Sequence, residues 1–341
     1  MKKIIITTLQ IILTVGIIYY VFRDPEKRAE MVETLRNADT AWLIGAVLAF
    51  GGIVFAGMTR WMILLRAVGV GLARWRIACL FMIGLFFNAF MLGATGGDVV
   101  KMFYIYREVP DKRTSGLVSI VVDRVIGLMA LIVIAIAFVI FKYSWLTSHP
   151  DAARYVYGLI LILAAAGGGL AFVSILAWLD LAQKLPEWMP LRGKLIEVSD
   201  ALRVYGRAPG ALVWAFGLSI IGHFSMFVSF FLLARAFGAV IALVPFFSIM
   251  PMISVYTSLP ITLGGLGVRE KLFEDLLGNL ANVPADIGVL IGSSGFVVLI
   301  IWALLGGVIY LFYRSAKGAP ESVETPIELE VPDHSTNKNM E

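Results

Sequence analysis

Two short stretches, GGDVVK at residues 96–101 and GGLGVR at residues 264–269, decide how the rest of this sequence is interpreted. Each follows a long apolar run, begins with a glycine pair and places a basic residue four positions after the second glycine. Glycine lets a backbone bend, unwind or approach a ligand closely, and charged side chains are costly within a bilayer. The pattern therefore indicates a duplicated site inside a membrane.

The composition is that of a membrane protein. Hydrophobic residues make up 59% of the 341 residues and charged residues 15%, whereas soluble domains average about 45–50% and about 25%. Mean hydropathy is +0.87. One cysteine and three scattered histidines predict neither disulfides nor a metal site, and we expect no cofactor. The net charge of +4 is typical of Lys and Arg that flank membrane spans, so we expect no nucleic-acid partner.

Eight apolar segments approach the length of about 20 residues that a spanning helix needs. They lie at 4–22, 41–65, 76–97, 116–141, 155–180, 211–235, 239–263 and 283–313. The sequence therefore predicts an all-α polytopic membrane protein, with an integral membrane domain at 1–314 and a disordered polar tail at 315–341. Pro245 and Pro251 are expected to break the seventh segment further.

The segments form two related sets of four, at about 1–141 and 155–314. The first set can be moved along the sequence by the distance that separates the two glycine stretches. Segments two, three and four then overlap segments six, seven and eight. If the third and seventh segments are re-entrant or broken helices, most Lys and Arg fall on the cytoplasmic side and the two repeats are inverted, as in many transporters. Eight full crossings with an external N-terminus satisfy the charge rule equally, so both topologies stay open.

The first candidate group is Gly96, Gly97, Asp98 and Lys101. A helix that restarts after these glycines offers free N–H groups to an anion, and Lys101 supplies a countercharge. The simpler interpretation is an ordinary helix end, with Asp98 as the N-cap and Lys101 reaching the interface as an anchor.

The second group is Ser119, Asp123 and Arg124 in the fourth segment. Ser119 and Asp123 share a helix face, and each unpaired charge at this depth costs roughly 2.5–3.5 kcal/mol. Because neighbouring residues point about 100° apart on a helix, we expect Asp123 and Arg124 to pair with other residues. The available partners are Asp98, Lys101, Arg269 and Glu270. A purely structural ion pair is the alternative.

The third group, Gly264, Gly265, Arg269 and Glu270, follows Pro260 in a stretch that cannot sustain a regular helix. A loop with interfacial charges is the alternative. Arg60 is expected to reach the interface beside Trp61, and His223 to be a packing residue. The sequence contains no catalytic triad, phosphate-binding loop or dinucleotide fingerprint, so no catalytic residue is predicted.

The three motifs together resemble the transmembrane region of lysylphosphatidylglycerol synthases, also described as the flippase-like domain family. The resemblance rests on residues 96–101, on Ser119 with 123–128, and on 264–270. It implies a multi-pass protein of the cytoplasmic membrane of a prokaryote. In two-domain members this region is associated with moving an aminoacylated lipid between leaflets, and a separate soluble domain makes the lipid. Such proteins usually carry Arg at the position of Lys101. The Lys ammonium is a point charge, whereas an Arg guanidinium can bind a phosphate through two parallel hydrogen bonds.

We therefore expect a transporter or flippase for an anionic, aminoacylated or polyprenyl-phosphate-linked lipid, and not an enzyme. The expected head-group ligands are Lys101, Arg124 and Arg269, with Asp98, Asp123 and Glu270 balancing charge or carrying protons. The tail is too short for an aminoacyl-transferase domain, so we expect no lipid synthesis by this chain. Two alternatives stay open: a membrane subunit that supports a separate lipid-modifying enzyme, and a membrane-embedded transferase for lipid-linked sugars with Asp98 or Asp123 as base.

Overall fold

The structure is a computed structural model that describes residues 24–91, 96–178, 208–259 and 262–313, with isolated positions at 16, 19, 192, 196, 205 and 206. The side chains of 170–178 are not described. The predicted segment 4–22 lies outside the described residues apart from two positions, as do the polar tail at 315–341 and the predicted helix break at Pro260.

The described residues form ten helices and no strand. They are α1 (Pro25–Arg36), α2 (Thr40–Ala67), α3 (Arg74–Phe90), α4 (Gly96–Glu108), α5 (Arg113–Leu146), α6 (Pro150–Trp178), α7 (Pro209–Ala236), α8 (Leu243–Ser258), α9 (Val268–Ala281) and α10 (Ala285–Phe312). Single 3-10 turns at Pro110–Lys112 and Leu263–Gly265 precede α5 and α9. The chain is an all-α polytopic membrane protein.

Five of these helices are long and apolar enough to cross a bilayer. They are α2, α5, α7, α10 and α6, the last counted over Pro150–Gly169. In chain order, α2, α5, α6, α7 and α10 correspond to predicted segments two, four, five, six and eight. Each helix begins and ends within five residues of the ends of its segment. Local chemistry sets some of these ends. The Asp39 carboxylate accepts the Ala41 N–H at 2.8 Å to cap α2, and Pro209 occupies the first turn of α7, where its missing N–H costs nothing.

Predicted segments three and seven instead belong to helical hairpins. In the first hairpin, α3–α4, the Arg76 guanidinium at the start of α3 lies 3.2 Å from the Glu108 carboxylate at the end of α4. In the second, α8–α9, the Phe246 and Phe273 rings lie 6.4 Å apart. Each glycine stretch therefore lies at the tip of a hairpin, which supports the prediction of re-entrant or broken elements.

The expected break of the seventh segment at its prolines is wrong, because α8 continues through both. Pro245 lies in the first turn, where its missing N–H has no helical partner anyway. Pro251 lies in the interior, where proline costs about 3 kcal/mol or more. It is one of nine buried residues of α8, and this packing offsets the cost.

The two hairpins approach α10 from opposite ends. Near its start, Gly292 is so close to α9 that an added Cβ would lie 3.0 Å from the Glu270 Cα. Near its end, a Cβ on Gly306 would overlap the Met82 carbonyl of α3. Just after α10, the Tyr313 hydroxyl donates to the Glu108 carboxylate at 2.5 Å. The hairpins therefore open toward opposite ends of this helix, and the inverted relation of the two halves stays a prediction.

The most extensive helix pair is α2 with α7. Gly52 leaves no room for a side chain beside Ser225, and the Ser229 hydroxyl donates to the Ala46 carbonyl at 2.8 Å. Small residues give this close approach in membranes, where apolar burial adds little to helix association. The pair forms a scaffold on which α5 places its charges.

Candidate functional site

A two-point ion pair joins α2 to α5. Arg60 Nε lies 2.7 Å from Asp123 Oδ1, and Arg60 Nη2 donates to Asp123 Oδ2 at 2.9 Å. The remaining nitrogen, Nη1, donates to the Ser219 hydroxyl of α7 at 2.9 Å. Bidentate pairs of this kind are both strong and geometrically specific. With side chains only 15% and 10% exposed, the pair ties three long helices together at a buried point.

The tip of the first hairpin adds a second ion pair. Asp98, in the first turn of α4, accepts a contact from Arg124 Nε of α5 and lies 3.9 Å from Lys101 Nζ. Asp98 is about ten residues from the end of α4, which is roughly 15 Å along the helix and about half of a 30 Å hydrocarbon core. The charges of this hairpin therefore lie at its tip, and their place in a site between the two halves stays a prediction.

Lys101 lies between aromatic rings and does not extend to an interface. Its Nζ lies 4.5 Å from the centroid of Phe81 and 5.2 Å from that of Trp61, where the ring quadrupoles attract the ammonium. The side chain is 6% exposed. The interpretation of Lys101 as an interfacial anchor is therefore wrong.

Ser119 fixes one of these rings. The Trp61 indole N–H donates to the Ser119 hydroxyl at 3.1 Å, and the hydroxyl donates to the Gly116 carbonyl at 2.6 Å. Trp61 and Ser119 are both fully buried. Ser119 thus reaches the charged cluster through Trp61, and its predicted contact with a ligand stays a prediction.

The glycines at this tip permit close packing of α3 on α4. The Gly97 N–H donates to the Asn88 side chain at 2.9 Å, and an added Cβ on Gly97 would overlap the Gly84 carbonyl. A Cβ on Gly84 would in turn overlap the Lys101 stem. Gly96 is buried beside Met91, which a Cβ there would meet at 2.5 Å. The pair is therefore required by contact within the hairpin.

His223 of α7 lies next to this cluster. Its Nε2 is 3.1 Å from the Gly127 carbonyl, and a Cβ on Gly127 would lie 3.1 Å from Arg60 Nη1. The other ring nitrogen, Nδ1, is buried and has no hydrogen-bond partner among the residues that the structure describes. His223 packs against Phe227, with ring centroids 6.5 Å apart, so it is a packing residue with one unused nitrogen.

The tip of the second hairpin has a different chemistry. Gly264, Gly265 and Gly267 have φ of 61°, 75° and 81°, a left-handed conformation that favours glycine. The Glu270 carboxylate accepts the Gly267 N–H at 2.6 Å and is 2% exposed. Arg269 Nη2 donates to the Gly264 carbonyl at 2.7 Å, and its guanidinium carbon lies 6.0 Å from the Phe296 centroid. Glu270 therefore caps α9, and Arg269 has no carboxylate partner within the described residues.

The predicted site residues thus fall into two groups. The first-tip cluster comprises the predicted Asp98, Lys101, Asp123 and Arg124 together with Arg60, and the predicted Gly96, Gly97 and Ser119 lie beside it. The second tip comprises Gly264, Gly265, Arg269 and Glu270. Arg124 pairs with Asp98, one of its expected partners. The expected set of partners for Asp123 is wrong, because Arg60 pairs with it. The interfacial position expected for Arg60 is wrong for the same reason.

The sequence matches the family described as Lysylphosphatidylglycerol synthase TM region over residues 7–306, a range that contains both groups. The chain belongs to this family. It is also similar to a UPF0104 membrane protein of Methanothermobacter thermautotrophicus, with 20% identity over 265 residues that cover 71% of this chain and 77% of the relative. Together with the five long apolar helices, membership of this family makes the chain a multi-pass membrane protein.

Proposed function

We propose that this protein is a lipid transporter that moves an anionic, aminoacylated or polyprenyl-phosphate-linked lipid between the leaflets of a prokaryotic cytoplasmic membrane. The observation that carries the proposal is the first-tip cluster, a set of charges buried among membrane-spanning helices at the tip of a hairpin. Ionisable residues at such depth are expensive, and they commonly mark a substrate or ion pathway.

The charge of this cluster suits an anion. Its five residues comprise three cations and two carboxylates, so their formal sum is +1. Arg124 is its most exposed member, with 45% of its side chain exposed, and it forms an ion pair with Asp98. A head-group phosphate approaching this tip exchanges with Asp98 as a ligand of Arg124, because guanidinium groups bind carboxylate and phosphate in the same geometry.

The arrangement of the hairpins suits alternating exposure of such a site. They open toward opposite ends of α10, and transporters with inverted repeats bind substrate beside broken helices at corresponding positions of the two halves. Rocking one hairpin against the long helices opens the cluster toward one leaflet at a time.

One contact bears on the alternative of a transferase. Both oxygens of Asp123 are engaged by Arg60, so this carboxylate is poorly placed to act as a general base. The pairing therefore argues against Asp123 as the base of such a transferase.

Leaflet exchange in proteoliposomes tests the proposal. Fluorescent phosphatidylglycerol, its lysyl ester and a polyprenyl phosphate are compared for wild type, Arg124→Gln and the control Arg235→Gln. Arg235 is exposed at the end of α7. We expect exchange of at least one lipid by wild type and the control, and its loss in Arg124→Gln. No exchange by wild type, together with recovery of a stoichiometric lipid-modifying enzyme on purification, would instead support the accessory-subunit alternative.

A further inference from the structure

The second tip contains an arginine with spare hydrogen-bonding capacity. Arg269 uses one of its N–H groups on the Gly264 carbonyl, and no carboxylate within the described residues pairs with it. The neighbouring Glu270 is occupied by the Gly267 N–H. At the first tip, by contrast, Arg60 and Arg124 each hold a carboxylate. Arg269 therefore has N–H groups available to bind an anion from outside the chain.

Two buried hydroxyls near the second tip also lack partners. Thr262 is 5% exposed, and neither its Oγ1 nor the buried Oγ of Ser293 has a hydrogen-bond partner among the described residues. An unsatisfied buried hydroxyl costs free energy, and each one in a native structure calls for an explanation. A ligand with hydrogen-bonding oxygens at the second tip would satisfy these hydroxyls.

The positions of these hydroxyls flank the tip. Thr262 precedes Gly264 by two residues. Ser293 follows Gly292, which packs on the Glu270 Cα, and precedes Phe296 by three residues. Phe296 in turn would be 3.7 Å from a Cβ on Gly264. The Ser293 position therefore lies on the part of α10 that faces the start of α9.

The start of α9 adds backbone donors. Its N-cap, Gly267, has no side chain that could accept the N–H groups of the first turn, and these groups have no partner within the helix. They carry the positive end of the helix dipole. Such a terminus favours a phosphate when a cation and hydroxyl donors stand beside it.

We propose that the second tip binds the phosphate of the lipid, with Arg269 as its charged ligand and Thr262 and Ser293 as hydroxyl donors. The proposal rests on the proposed function for the source of the phosphate. It gives each tip a part in the same path: the second tip holds the phosphate through Arg269, and the first-tip cluster receives it through Arg124, in exchange for Asp98.

Lipid binding to the purified full chain in detergent tests this proposal. Native mass spectrometry gives the dissociation constants of phosphatidic acid and of diacylglycerol, which lacks the phosphate. Inorganic phosphate is added as a competitor, and competition separates a site for any phosphate from one that requires the lipid. The variants are Arg269→Gln, the double variant Thr262→Val with Ser293→Ala, and the control Arg235→Gln.

We expect Arg269→Gln to weaken phosphatidic acid binding about tenfold or more, and the double variant to weaken it about three- to tenfold. Diacylglycerol binding stays unchanged throughout. The melting temperature of the lipid-free double variant equals or exceeds that of wild type, because the variant removes polar groups that have no partner. Because the double variant is expected to fold, its phosphatidic acid binding still tests the site if Arg269→Gln fails to fold.

Equal phosphatidic acid affinity in wild type and the double variant would overturn the inference, as would equal affinity of wild type for diacylglycerol. The two proposals fail separately. Wild type that binds phosphatidic acid through these residues without leaflet exchange refutes transport alone. Leaflet exchange that needs Arg124 but tolerates the double variant, with unchanged binding, refutes the phosphate site alone.

Discussion

Arg60 and Asp123, which are 63 positions apart in the sequence, meet through two parallel hydrogen bonds of 2.9 Å and 2.7 Å. Their side chains are only 15% and 10% exposed, and each charge compensates the other. The pair explains how two polar residues occur within long apolar helices: together they present the membrane with a neutral unit.

Removing one partner of this pair is expected to cost more than removing both. Asp123→Asn or Arg60→Gln leaves a buried, uncompensated charge and destabilises the protein by about 3–5 kcal/mol. The double variant loses less than the sum of the single losses. Unfolding in detergent measures all three values, with Arg235→Gln as a control expected to change little. Strictly additive losses would show that the two side chains do not interact.

Site-specific labelling tests the hairpin topology. Single cysteines replace Arg74 and Asp111 at the ends of the first hairpin, and Ala242 and Ala285 at the ends of the second, in a Cys79→Ser background. All four positions are exposed. In oriented vesicles, we expect a membrane-impermeant maleimide to label the first two from one side and the last two from the opposite side. Labelling of positions 74 and 111 from opposite sides would mean that this element crosses the membrane completely.

The glycine pair of the first tip is expected to tolerate no side chain. Gly97→Ala places a methyl group on the Gly84 carbonyl, and overpacking of this kind costs about 1–3 kcal/mol. Gly167→Ala is the matched control, since a Cβ there meets nothing within 4 Å and alanine favours a helix. Thermal unfolding should place the first variant below wild type and the second at or above it. Equal melting temperatures for both would contradict the close approach of α3 and α4.

Tyr313 should make stability depend on alkaline pH. Burial, and next the hydrogen bond to Glu108, raise the pKa of its phenol above the ordinary value. A raised pKa in the folded state gives stability that is complete below about pH 10, where the unfolded phenol titrates, and is lost as pH rises further. The melting-temperature difference between wild type and Tyr313→Phe should therefore be constant from pH 7 to 9 and shift against wild type above pH 10. A difference independent of pH up to 11 would exclude this linkage.

The long helices could be predicted from the sequence because apolar length alone determines them. The hairpins could be predicted only in part. Glycine pairs marked their tips, but α4 and α9 carry too many polar residues to be recognised as membrane elements by hydropathy. At Pro251 the sequence predicted a helix break that the structure does not have. Proline normally ends a helix, but here the burial of the surrounding residues keeps α8 continuous.

The sequence predicted most of the charged residues of the site, but it did not predict all of the ion pairs that they form. Asp98 with Arg124 could be anticipated, because both lie beside the same tip region. Arg60 could not be matched to Asp123, because its neighbour Trp61 is equally typical of an interface. The unpartnered state of Thr262 and Ser293 cannot be read from a sequence at all, since it depends on which groups the fold brings within hydrogen-bond distance.

The packing of α10 has a mechanical consequence. Gly292 joins this helix to one hairpin and Gly306 joins it to the other, and in both places the backbones touch with no side chain between them. Backbone contacts of this kind leave little room for either hairpin to slide along α10. A displacement of α10 therefore displaces the start of α9 and the middle of α3 together, and the two hairpins are coupled through this one helix.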